Sequence, residues 1–189
     1  DRTNGAAQTV RLGLGICVRH NMIIDDFSCT NLVPATGTRW RSVTDQVMGG
    51  VSKSSLKFQV VEGRPYLHMA GDVRLENNGG FIQAALDLAS NGGTLDASEF
   101  TGIRLVARGN GEQYAIHLRT SDNTRPWQSY RAQFIAAGDW TTIDLPFAVF
   151  DAHRLETPLD ITRLRRIGLV AIGRAFRADL ALADLRFYS

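Results

Sequence analysis

Cysteine is scarce, with only Cys17 and Cys29 in 189 residues. Two thiols cannot form a disulfide framework, and neither stands at a metal-ligand spacing. They read as free thiols in a reducing compartment, and the chain as cytoplasmic. Long apolar runs are also missing. The longest, Leu12 to Val18 and Ile167 to Ile172, fall far short of a membrane span, and no small-residue cleavage site follows the first. Charge of one sign is missing too. Lys plus Arg total 21 against 19 for Asp plus Glu, a net charge of +2. No stretch concentrates basic residues, so a nucleic-acid partner is not expected. Helix signals are few: one turn at Asp96 to Phe100 and another at Leu159 to Arg166, where Asp160 and Thr162 are capping types.

The groups that catalysis needs are lacking as well. His20, His68, His117 and His153 have no second His or Cys at ligand spacing. No serine sits in a nucleophile elbow. Gly49-Gly50-Val51-Ser52 lacks the lysine of a phosphate loop, and Gly13 and Gly15 open no dinucleotide fingerprint. Asp25 and Asp26 are adjacent, so on a strand they point to opposite faces and cannot flank one bond. The expectation is a protein without enzymatic activity and without a cofactor.

What is present is period-two alternation. Gly102 to Gly109 sets Ile103, Leu105 and Ala107 against Arg104, Val106 and Arg108. Gln113 to Thr120 sets Tyr114, Ile116 and Leu118 against Ala115, His117 and Arg119. Gly109-Asn110-Gly111 between them reads as a hairpin turn. Ser129 to Ile135 directs Tyr130, Ala132 and Phe134 one way and Arg131, Gln133 and Ile135 the other. Leu56 to Glu62 and Tyr66 to Ala70 flank a second hairpin candidate at Gly63-Arg64-Pro65. Phe81 to Leu88, Trp140 to Leu145 and a last strand through Leu180, Leu182, Leu185 and Phe187 complete the set. Ile167 to Ile172 is apolar on both faces, as a covered central strand is. Many short strands separated by turns predict an all-β fold, a two-sheet antiparallel β-sandwich. Residues 1–21 show no periodicity and read as a poorly structured extension. The sandwich is expected over 22–189.

With inward positions apolar, the candidate site is the opposite face. Arg104, Arg108, His117 and Arg119 project from the expected hairpin, with Arg131, Gln133 and Gln83 beside them. Arg greatly outnumbers Lys in this chain, and such groups make directed hydrogen bonds to carboxylates, hydroxyls and amides. Trp127, after the loop 122–125, either stacks on a ligand or plugs the end of the sandwich. Glu76-Asn77-Asn78-Gly79-Gly80 is a dense polar turn whose glycines suit a tight connection. Glu76 and Asn77 complete the candidate binding set.

One tryptophan and two strings carry a resemblance: Trp40, then Val43-Thr44-Asp45-Gln46-Val47-Met48-Gly49-Gly50-Val51-Ser52, then Leu75-Glu76-Asn77-Asn78-Gly79-Gly80-Phe81. Leu118-Arg119-Thr120, Trp140 before Pro146-Phe147, and Pro158-Leu159-Asp160 add to it. The sequence resembles the complex I intermediate-associated protein family (the thirty-kilodalton one) from about Ile23 to Tyr188. The resemblance implies a jelly roll of the galactose-binding-domain-like type. It implies an assembly factor or chaperone for respiratory complex I, acting on a protein partner without catalytic residues. Many bacterial members of the family are stand-alone domains, and the chain looks like that kind. Kindred folds include carbohydrate-binding modules, so the alternative expectation is a module that uses the polar face to hold a carbohydrate. A third is an enzyme site assembled across strands around His117. Such folds often hold a structural calcium; Asp25, Asp26 and Asp184 are the only acids to nominate, too few for its six to eight oxygens, so no metal is expected.

Overall fold

The computed structural model describes residues 21–29, 34 and 36–189. The expected extension over 1–21, Asn21 apart, and Cys17 lie outside the described residues. Twelve strands follow in order among the described residues: β1 Met22–Asp25, β2 Arg41–Thr44, β3 Lys53–Val61, β4 Arg64–Val73, β5 Phe81–Asp87, β6 Gly102–Gly109, β7 Gln113–Thr120, β8 Ser129–Ile135, β9 Thr141–Pro146, β10 Asp151–His153, β11 Leu164–Ile172 and β12 Phe176–Tyr188. The helical elements among them are short 3-10 turns only. The expected turn near Leu159 is one of these, Ile161–Arg163, with the Asp160 side chain accepting from the Thr162 amide. The first sheet runs β3-β4-β12-β6-β9, with β1 pairing the end of β12 beyond β4. The second runs β10-β8-β7-β11-β5-β2. Every strand pair is antiparallel, and the chain is an all-β sandwich.

The inner faces interdigitate into one core. Leu67, Met69, Ile103, Leu105, Leu180 and Phe187 come from the first sheet, and Ile82, Leu86, Tyr114, Ile116, Leu118, Tyr130 and Leu169 from the second. Each is worth about 1.5–3 kcal/mol on burial before ordering costs. The alternation thus identified the inward residues of both β7 and β8. It also marked β11 as central, between β7 and β5. The β3–β4 hairpin forms, its turn at Glu62 and Gly63, both at positive φ. In β12 the buried positions change parity, from Leu180 and Leu182 to Leu185 and Phe187. The register shift between Leu182 and Asp184 is the β-bulge that permits this.

The expected hairpin 103–119 does not form. β6 pairs β12 and β9 in the first sheet, whereas β7 pairs β11 and β8 in the second. Gly109-Asn110-Gly111 carries the chain from one sheet to the other. The amides of Gly109 and Gly111 bond the carbonyls of Ala137 and Ala136, not each other's strands. Alternation shows which way a side chain points but not which strand lies beside it.

Candidate binding surfaces

That crossing separates the predicted site. Arg104 lies on the outer face of the first sheet. Its guanidinium closes on Asp144 at 2.6 and 2.7 Å and stacks on Tyr188 at 4.9 Å. Arg108 on the same sheet stacks on Trp140, 4.9 Å away. His117, Arg119, Arg131 and Gln133 do share one face, the outer face of the second sheet. Strand pairing there sets Asp151, Arg131, His117, Gly168, Ala85 and Arg41 in one row. Gln133 and Gln83 lie in the next row, on either side of Ala115 and Val170. The face is not free of acid: Asp87 bonds both Arg41 and Arg166.

His117 is only 8% exposed although it faces outward. Its cross-strand neighbour on β11 is Gly168, over which Gln83 folds so closely that a Cβ would stand 2.8 Å from the Gln83 Oε1. Its Nε2 is buried without a hydrogen-bond partner. Burial first, then the charges of Arg131 and His153, push the imidazole down to about 3. Among the described residues the Nε2 has no carboxylate or hydroxyl partner of the kind that orients a catalytic base. Arg131 turns back to the Ser129 hydroxyl, and Gln133 bonds Gln113.

Arg119 is half-buried. It donates to the Arg125 carbonyl at 3.1 Å and the Pro126 carbonyl at 3.5 Å. It thereby holds the loop 121–128, whose Trp127 is 49% exposed and plugs nothing. Replacing Arg119 with alanine is expected to cost about 1–2 kcal/mol, two half-exposed charged hydrogen bonds. Hydrogen exchange of the 121–128 amides should rise at the same time. Unchanged exchange would mean that the loop does not depend on Arg119.

Glu76 and Asn77 are not part of this face either. They precede β5, at the end of the sheet opposite Trp127. Their turn is locked to the segment after β2 by one buried carboxylate. Asp45, fully buried, accepts from the Ser52 amide at 2.9 Å, the Ser52 hydroxyl and the Gly80 amide at 2.6 Å. Burial raises its affinity for a proton, but these donors outweigh burial and hold it ionised below the usual carboxylate range. A Cβ on Gly50 would stand 2.3 Å from the Asp45 carboxyl carbon, and one on Gly79 2.4 Å from its Oδ2. Gly80 takes a φ of 124°, so the expected positive-φ glycine is there. Asn77 adds a bond to the Gly49 carbonyl at 3.2 Å. The two strings that carry the family resemblance are therefore the two halves of one knot. Val47, Met48 and Leu75 project from it, 74%, 57% and 50% exposed.

Of the three acids nominated for calcium, Asp25 bonds the Phe27 amide and the Trp40 indole, and Asp184 pairs with Arg186. Cys29 is a free, exposed thiol. No helix among the described residues is long and apolar enough to cross a membrane.

A family model described as Complex I intermediate-associated protein 30 (CIA30) matches residues 28–182, both halves of the knot included. The chain belongs to this family. No curated protein matches it. Among solved structures it is similar to the family 11 carbohydrate-binding module from Clostridium thermocellum, determined in complex with a β-1,3-1,4-mixed-linked tetrasaccharide. The TM-score is 0.66 at 14% identity, covering 88% of this chain and 94% of that one. The family 30 carbohydrate-binding module of a cellulosomal cellulase of Clostridium thermocellum gives 0.61 at 14% identity, over 89% and 96%. At these identities the likeness is one of fold, the jelly-roll sandwich of such modules.

Proposed function

We propose that this domain is a non-catalytic protein-binding module that helps assemble respiratory complex I. The observation that carries the reading is the apolar knuckle on the Asp45 knot. Val47, Met48 and Leu75 are exposed aliphatic groups on loops that a buried carboxylate holds in one shape. Ordered, exposed aliphatic side chains gain most from burial against another protein, about 1.5–3 kcal/mol each. The family name supports the choice of partner, a complex I subunit within an assembly intermediate. A carbohydrate-binding role is the second reading, favoured by the structural neighbours. Sugar sites rely on open aromatic platforms. Here Tyr114 and Tyr130 are in the core, and Arg64 and Arg108 already stack on Trp140, which leaves the exposed Trp127 as a single ring rather than a platform of several.

The test is co-purification from native cells with detection of complex I subunits by mass spectrometry. The wild-type chain is expected to recover them. The double substitution Val47→Asp and Met48→Asp should reduce recovery about tenfold or more while stability stays within about 0.5 kcal/mol. Recovery of no complex I subunit by the wild type, or equal recovery by the variant, would refute the reading. Retardation of the chain in a mixed-linked β-glucan gel would transfer the role to carbohydrate.

A further inference from the structure

At the Thr120 end of the second sheet lies a cavity of about 240 Å³, bounded by Asp87, Arg119, Asn123, Arg165, Arg166 and the glycines 92 and 93. None of Asp87, Asn123, Arg165 and Arg166 belongs to the candidate set predicted from sequence. Two arginines adjacent in sequence line the same cavity because of a bulge. Leu164 pairs Thr120 and Arg166 pairs Arg119, so the register shifts across Arg165. Strict alternation would send Arg165 to the face opposite Arg166; the extra residue swings it back to the rim. The far wall is the 89–93 segment, where a Cβ on Gly92 would stand 3.6 Å from an Arg165 guanidinium nitrogen.

The charges here do not balance. Asp87 is the one carboxylate on the wall, and it is shared between Arg166 at 2.7 Å and Arg41 at 2.9 Å. Asp122 and Asp160, at the same end of the sheet, are held by Arg163. Among the described residues, the side-chain hydrogen bonds of Arg119 go to backbone carbonyls, with Asp87 a lesser, more distant attraction, and Arg165 forms no ion pair. Arg119 is half-buried, and after burial itself the charges of Arg166 and Arg165 are what weigh most against its protonated form. Positive charges pressed together in a partly desolvated cavity favour an anion between them. Asn123 is buried; its Oδ1 accepts from the Thr120 amide at 2.6 Å, and its Nδ2 has no partner. Asn123 borders the cavity with that amide shielded behind its surface, and the donors that face the space are the three guanidinium groups.

We propose that this cavity is a binding site for a tetrahedral oxyanion, a phosphoryl or sulfuryl group carried by a small molecule, held by Arg119, Arg165 and Arg166. A carboxylate has two oxygens, and one or two guanidinium forks satisfy it. Three guanidiniums supply donors for the three terminal oxygens of a phosphoryl or sulfuryl group. The site lies at the far end of the sheet from the Asp45 knot, and it stands or falls independently of the assembly reading.

The test uses the whole chain at fixed ionic strength, so that screening is equal in every arm. Isothermal titration and thermal shift are measured with inorganic phosphate, sulfate, acetate and chloride. Phosphate or sulfate is expected to bind and raise the melting temperature, whereas acetate and chloride are not. Arg165→Gln removes an exposed arginine that has no ion pair among the described residues. It should leave folding intact and weaken oxyanion affinity about tenfold or more. Glucose 6-phosphate compared with glucose 6-sulfate, each against glucose, identifies which ester the cavity prefers. Equal responses to all four anions would overturn the proposal, and so would undiminished oxyanion binding by the Arg165→Gln variant.

Discussion

Substitution of Asp45 by alanine is expected to lower the stability of the domain by about 3–5 kcal/mol, measured by urea unfolding at neutral pH. The Ser52 and Gly80 amides would lose their acceptor while remaining buried, and an unpaired buried donor costs about 1–3 kcal/mol. The replacement also releases the turn before β5 from the segment after β2, because Asp45 is the group both bind. Gly79→Ala should destabilise for a different reason, since its Cβ would collide with the carboxylate it now touches. Acid should act on the same group. The folded-state proton affinity of Asp45 is depressed. Its contribution is therefore complete above the unfolded carboxylate value, near 4, and is lost as pH falls through the folded value. A cost below about 1 kcal/mol for Asp45→Ala would show that the carboxylate does not hold the knot.

His117 gives the second large effect, in a different pH window. The folded imidazole titrates at about 3 rather than 6.5, because burial and the neighbouring Arg131 and His153 disfavour its cation. Between those values the unfolded chain binds a proton that the folded chain refuses. Stability is therefore complete above about 6.5 and declines as pH falls toward 3. Between pH 7 and about 4.5 the expected loss is roughly 2–3 kcal/mol. Urea midpoints across that range measure it. His117→Leu should flatten the slope without lowering stability at neutral pH, since it removes a buried nitrogen that has no partner. His153, also shifted downward, contributes the smaller residual slope. Retention of the full slope in the variant, or an imidazole titration near 6.5 by nuclear magnetic resonance, would refute the assignment.

Both effects begin in residues that the sequence displays but does not connect. Period two was enough to predict that Tyr114, Tyr130, Leu118 and Phe134 face inward and that His117, Arg131 and Gln133 face outward, because alternation is a property of a single strand. Turn chemistry likewise foresaw the β3–β4 hairpin, whose turn is Glu62-Gly63 rather than Gly63-Arg64-Pro65, and a tight glycine turn at 78–80, where Gly80 takes the positive φ. Exposure did not follow from direction. His117 points outward and is nonetheless buried, because Gly168 and Gln83 come from two other strands.

The sequence by itself therefore determined the fold class, the inward residue of each strong strand and, through two long strings, the family. Strand pairing, and with it every site, was decided by tertiary structure. Gly109-Asn110-Gly111 suits a hairpin locally, yet packing two apolar faces against each other sends β6 and β7 into opposite sheets and parts Arg104 from Arg119. Asp45 meets Gly80 across 35 positions of chain. Arg165 joins Arg166 at one cavity only because β11 gains a residue against β7. The physical reason is common to all three. Local backbone preference and side-chain period act over a few residues, whereas register, bulges and buried polar contacts are chosen by the free energy of closing the whole core.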